Sequence, residues 1–244
     1  MHIFAYNLLN RIMAAVKGQY TYEYPRPSVT TDCVIFGYDG SEIKVLLIQR
    51  GIEPFKDQWA FPGGFLQMEE TSMECAKREL KEETGLENAF LQQFHTFTDV
   101  DRDPRGRIIT IAYFALVKIS EVKGGDDASN AAWFSINQIP KLAFDHDMIL
   151  RMAFSKLKER MHFEPVGFEL LPEVFKMPQL QNLYESILEV HFDRANFAKK
   201  MLAMDILDET GDRSENASRR IPKMYRFNLQ KYEAMKSKGF RLEF

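Results

Sequence analysis

The chain has 244 residues, 45% of them hydrophobic, which is enough to bury a sizeable core as one large or two modest domains. A net charge of −3 argues neither for nor against a nucleic-acid partner, because the local distribution of charge decides such contacts. No apolar run reaches membrane-spanning length, and Cys33 and Cys75 have no metal or redox spacing, so the expectation is a cytoplasmic protein with buried thiols and no membrane partner.

Residues 1–19 read as an N-terminal extension. Phe4, Leu8, Leu9, Ile12 and Val16 are mixed with polar residues as in a short amphipathic helix, without the small-residue cleavage signal of an export sequence. Residues 20–27, rich in aromatics and proline, read as an extended arm. Residues 28–37 and 43–49 are strand-like and joined by a turn at Asp39-Gly40, and 51–61 form a loop carrying Trp59.

Phe61-Pro62-Gly63-Gly64 breaks any regular element and admits backbone conformations that Cβ-bearing residues resist. A helix is predicted over 71–84, with Gly85 at the C-terminal cap. Met73, Ala76 and Leu80 share a core face, and Glu79, Glu82 and Glu83 cluster beside it. Three such carboxylates repel unless a cation sits between them. Hard oxygen donors without histidine or thiolate suit Mg²⁺, with Mn²⁺ as a substitute. A solvated acidic helix end would carry the same residue types.

The full string is more specific. Gly64, five residues, Glu70, seven residues, Arg78-Glu79-Leu80, one residue, Glu82-Glu83, one residue and Gly85-Leu86 resemble the Nudix box at every defining position. The resemblance implies a mixed α/β/α sandwich.

Beyond the helix, residues 90–98 and 108–119 read as strands around the loop 99–107. Three arginines and three aspartates around Pro104 and Gly106 fit a solvated turn equally well, but beside a phosphate-handling metal site forked guanidinium donors gain a purpose. This stretch and Ile111-Ala112-Tyr113-Phe114 resemble the corresponding part of ADP-ribose-type Nudix pyrophosphatases and of regulators derived from them. Trp133-Phe134 reads as a short strand, 137–139 as a turn and 147–161 as a long helix. Asp145-His146-Asp147 is a helix-start signal, with His146 read as a capping or surface residue.

Glu164-Pro165-Val166-Gly167 reads as a linker. Leu180, Leu183, Tyr184, Ile187 and Leu188 then recur at helical spacing over 178–190. Asp193 caps a second helix over 194–204, with Phe197, Met201 and Met204 inward and Asn196, Lys199 and Lys200 opposite. Residues 206–208 and 224–227 read as short strands flanking a polar loop, 211–220, that carries Arg213, Arg219 and Arg220. A helix pair followed by a basic hairpin is the plan of a winged helix-turn-helix. A helical dimerisation module with ordinary surface lysines accounts for the same residue types.

The order of the two halves, with Asp193-Arg194-Ala195-Asn196-Phe197-Ala198-Lys199-Lys200 behind the Nudix part, resembles Nudix-related transcriptional regulators of NAD metabolism and their sugar-responsive relatives in Bacteroidetes. The expected domains are 20–163 (Nudix) and 164–244 (winged helix-turn-helix). The resemblance implies hydrolysis of a nucleoside diphosphate-linked small molecule such as ADP-ribose, or its sensing without cleavage. It makes Glu79, Glu82, Glu83 and the Gly64 backbone metal ligands, with Arg78 orienting a glutamate and Glu70 bracing the loop. Arg50, Arg102, Arg105 and Arg107 become the substrate-binding candidates. On the DNA side, Lys199, Lys200, Arg219 and Arg220 would hold the backbone of double-stranded DNA, and Arg194 or Asn196 would reach base edges, in a homodimer.

Overall fold

A computed structural model describes residues 22–87, 89–120, 122, 128–210 and 223–237. The expectations for residues 1–19 and for the loop 211–220, including Arg219 and Arg220, lie outside the described residues.

The sheet is organised on Ser28–Tyr38 (β1), whose apolar, β-branched run is buried on both faces. It turns at Asp39, whose carboxylate accepts the N–H groups of Ser41 and Glu42, each at 2.9 Å. It returns as Ile43–Arg50 (β2), antiparallel, with Ile35 opposite Leu46. Two short strands follow, Trp59–Ala60 (β3) on β2 and Gly63–Phe65 (β4) on β1. The helix Ser72–Thr84 (α1) comes next, then Gln92–Phe97 (β5), Ile108–Leu116 (β6) and Ala128–Ser135 (β7). Strand order is β3-β2-β1-β6-β5, with β7 also on β2; β1 and β6 are parallel, so the sheet is mixed.

Alternation along the strands gives the sheet two apolar faces. Cys33, Ile35, Leu46, Tyr113 and Ala115 pack with Ala76 and Leu80 of α1. Their neighbours Val34, Phe36, Val45, Leu47, Ala112 and Phe114 belong to the opposite core, with Ile149, Ala153 and Leu157 of His146–Phe163 (α2). Fully burying each large apolar side chain is worth about 1.5–3 kcal/mol, so the two helices are held from both sides of one sheet. This is the α/β/α sandwich.

The C-terminal part is Val174–Lys176 (β8), Met177–Leu188 (α3), Arg194–Ala203 (α4), Leu207–Thr210 (β9), Met224–Phe227 (β10) and Leu229–Lys236 (α5). β8 and β9 flank β10 in a separate antiparallel sheet. This is the winged helix; β8 and α5 extend the expected plan. The expected linker, 164–167, is largely buried. Pro165, Val166 and Gly167 are buried, and Val166 joins Met161 of α2 and Leu183, Tyr184 and Ile187 of α3 in one continuous core. A proline-glycine pair marks a break in the chain, but it does not require exposure.

Both cysteines are buried free thiols, with burial pushing Cys75 up to about 11 and Cys33 well above its usual range. Among the described residues no helix is long and apolar enough to cross a membrane.

Candidate functional site

α1 is fixed at both ends. Thr71 and Glu74 form a reciprocal capping box, and Gly85 (φ 74°) closes the helix, its N–H donating to Lys81 O. Gly63 and Gly64 stand ahead of it in β4, and neither has positive φ. Their need for glycine is close approach, which corrects the expectation of an irregular, conformationally unusual turn. A Cβ on Gly63 would lie 2.0 Å from Thr31 O, and one on Gly64 would lie 2.2 Å from Glu79 Oε1.

One arginine organises the carboxylates. Arg78 donates Nε and Nη2 to Glu70 at 3.0 and 2.6 Å, and Nη1 to Glu79 Oε1 and Glu82 Oε2 at 2.7 and 3.0 Å. The Arg78 hydrogen bonds hold Glu70 down to about 2, while Gln67 N–H adds a donor at 2.9 Å. Glu83 accepts from Gly63 N–H at 2.8 Å. Burial pushes Glu83 up to about 8, with Glu79 and Asp32 adding like-charge repulsion, and burial also raises Glu79 against its Arg78 bond.

Next to this helix lies a small cavity lined by Asp32, Gly63, Gly64, Arg50, Arg102, Arg105, Phe144 and His146 among others. Arg102 has its side chain only 3% exposed and forks onto Asp145 at 2.9 and 2.7 Å, with Asp32 at 3.7 Å. Arg105 is forked on Asp103; burial opposes ionisation there, yet the Arg105 bonds keep that carboxyl below its usual range. His146 is buried, and burial lowers its pKa. The reading of His146 as a cap or surface residue is therefore corrected. Asp145 is also corrected in part: it stands at the helix start but makes no side-chain cap, because its carboxylate is engaged by Arg102.

On the other half, Gln181 Nε2 donates to Glu185 Oε1 and to Phe192 O, both at 2.9 Å, and Glu185 accepts Phe192 N–H at 2.8 Å. These bonds set the turn between α3 and α4. Asp193 caps α4 by accepting Asn196 N–H at 3.0 Å. Arg194, Asn196 and Lys199 are exposed on α4, Lys200 is half-buried, and Phe197 and Met201 are in the core.

The profile of the NUDIX domain matches residues 26–152, more than half of the chain. The chain belongs to the Nudix family. The profile of the NrtR DNA-binding winged helix domain matches residues 167–227 behind the Nudix part. The chain is similar to the ADPR responsive transcriptional repressor NtrR of Acinetobacter baylyi, 36% identical over 86% of each chain. It is also similar to the ADP-ribose pyrophosphatase of Methanocaldococcus jannaschii, 43% identical over 52% of this chain and 73% of that one. Among solved structures, Shewanella oneidensis NrtR complexed with a 27mer DNA is 27% identical with a TM-score of 0.69, over 88% of this chain and 97% of that one.

The Nudix helix thus brings together Glu70, Arg78, Glu79, Glu82 and Glu83 around Gly63-Gly64, while Arg50, Arg102 and Arg105 line the adjoining cavity. Arg107 is not brought to it; its Nη1 ties Thr98 O and Asp99 O at 2.8 and 3.1 Å within the loop. Sequence reasoning passed over Asp32, Phe144 and the inward role of His146. The polar triplet Thr30-Thr31-Asp32 inside an otherwise apolar strand was the available signal for Asp32. Nothing local marks Phe144.

Proposed function

We propose that this protein is a metabolite-responsive DNA-binding regulator whose Nudix site takes ADP-ribose or a similar nucleoside diphosphate derivative and cleaves its pyrophosphate with Mg²⁺. The observation that carries this reading is one core, shared through α2, that joins the face of the Nudix sheet opposite α1 to a helix-turn-helix with exposed basic residues, in a chain that also holds a complete Nudix helix and an arginine-lined cavity. The names of the relatives support it: an ADPR responsive repressor, an ADP-ribose pyrophosphatase, and a DNA-bound NrtR. In this reading 20–163 is the Nudix unit, 164–244 is the winged-helix unit, and the active form is a homodimer reading paired half-sites.

The donor set fits a hard divalent ion, Mg²⁺ or Mn²⁺. Glu79, Glu82 and Glu83 supply carboxylate oxygens, and Gly64 leaves room for the Glu79 carboxylate against the backbone. The burial and like charge that raise Glu79 and Glu83 are what a bound cation offsets. When bound, such an ion neutralises charge developing on phosphate oxygens. Arg78, anchored by Glu70, orients Glu79 and Glu82. Arg50, Arg102 and Arg105 attract and orient the phosphates, and Arg107 braces their loop. On the DNA side, Arg194, Asn196, Lys199 and Lys200, with Arg219 and Arg220 beyond the described residues, face the duplex.

A second reading, sensing without cleavage, is favoured by one feature. Arg78 already bridges Glu79 and Glu82 while Glu83 takes Gly63 N–H, and among the described residues no three carboxyl, imidazole or thiol groups converge as a ready metal cage. The deciding assay follows release of AMP and ribose phosphate from ADP-ribose with Mg²⁺. Release that disappears in Glu82→Gln establishes hydrolysis. No release, with ADP-ribose raising the melting temperature, establishes sensing alone.

A further inference from the structure

Two neighbouring aromatic residues hold left-handed backbones, Phe144 in the cavity lining at φ 53° and Phe55 beside it at φ 64°. Bulky side chains adopt this conformation at a cost, and such strain concentrates at functional sites. The two strained residues meet: their rings lie edge to face with centroids 4.8 Å apart. The Phe144 ring also carries two cations. The guanidinium carbons of Arg50 and Arg105 lie 4.9 and 5.2 Å from its centroid.

Each cation is held from behind. Arg50 Nε donates to Pro54 O at 2.8 Å, next to Phe55, and Arg105 is forked on Asp103 and also lies 4.8 Å over Phe65. Arg105 Nη1 has no hydrogen-bond partner among the described residues. Two guanidiniums drawn to one ring repel each other, and a doubly phosphorylated anion between them removes that repulsion.

We infer that Phe144 is a positioning residue: its ring, set by a strained backbone and buttressed by Phe55, aligns Arg50 and Arg105 as a two-pronged clamp for the pyrophosphate of the ligand. This rests on the reading that the cavity takes a nucleoside diphosphate derivative, and it adds what sets the spacing of the two arginines. Phe144 acts through them and not on the reacting atoms. Its own placement is fixed by its successors, Asp145 forked on Arg102 and His146 stacked on Phe61.

The test is calorimetric binding of ADP-ribose and of inorganic pyrophosphate, each with Mg²⁺, to the full chain and to Phe144→Leu and Phe144→Tyr. Leucine keeps apolar bulk but removes the π face. It should weaken both probes about tenfold, whereas tyrosine should stay within about twofold of the parent. Phe55→Leu, which removes the buttress, should weaken both in the same direction, and it serves in place of Phe144→Leu if melting shows the latter unfolded. The clamp is overturned if the leucine variant binds both probes like the parent, or if tyrosine fails to restore them. It is also overturned if only ADP-ribose is weakened, which would make Phe144 a platform for the base. If the unaltered protein binds neither probe, the functional reading itself fails and the clamp falls with it.

Discussion

His146 Nδ1 accepts the backbone N–H of Phe61 at 3.0 Å, and the two rings stack with centroids 5.0 Å apart. An acceptor Nδ1 places the imidazole proton on Nε2, which faces Asp32 Oδ1 at 3.5 Å. This contact pins the first turn of α2 to the segment leading into Gly63-Gly64. The helix that starts at the cavity floor continues into the core shared with the winged helix.

The pH dependence of stability follows from that contact. His146 faces Asp32, Asp145, Arg102 and Arg50, and burial leaves its folded pKa below the ordinary 6.5. The unfolded chain therefore takes up the proton first. The contribution of His146 is fully present above about pH 6.5 and is lost as pH falls below it, by up to about 1.4 kcal/mol per pH unit. Urea unfolding between pH 4.5 and 8 should show a shallower acid limb in His146→Gln than in the parent; parallel limbs would contradict a buried neutral imidazole.

The two glycines ahead of α1 should separate fold from site. In Gly63→Ala the new methyl meets the Thr31 carbonyl, part of the rigid β1 backbone, and should cost about 1–3 kcal/mol in a denaturant melt. In Gly64→Ala its three nearest atoms are all at the end of the Glu79 side chain, which can swing away. That variant should melt near the parent temperature and lose Mg²⁺ binding in a calorimetric titration. Equal destabilisation of both variants would mean that Gly64 serves the fold and not the carboxylate.

Arg194 and Lys199 are both exposed on α4, behind the Asp193 cap. Replacing both by alanine should weaken duplex binding and reduce the slope of log K against log salt by about one per lost phosphate contact. Fluorescence anisotropy at several salt concentrations measures this, and an unchanged slope would turn α4 away from the DNA.

Much of this was legible in the sequence because it is local. The Gly85 cap and the Arg78-to-Glu83 run act within about two helical turns, and the structure holds them together as their spacing implies. Asp193 as a cap and the Phe197–Met201 face are local in the same way. What sequence could not give depends on distant partners. Arg102 and Asp145 are 43 positions apart and Phe61 and His146 are 85 apart, so no pattern announced that a helix-start triplet would fold inward. The buried linker is legible only once the two halves share one core, and the strained pair Phe55 and Phe144 only once distant parts of the chain meet.

In one chain, ligand binding at the Nudix site and DNA binding at the winged helix should be coupled. A duplex selected from a random library would be bound to the full chain and titrated with ADP-ribose and Mg²⁺, with anisotropy following the complex. A change in duplex affinity of about fivefold or more, mirrored by an equal change in ADP-ribose affinity when the duplex is added, is the expected result. ADP-ribose binding that leaves duplex affinity unmoved would contradict it.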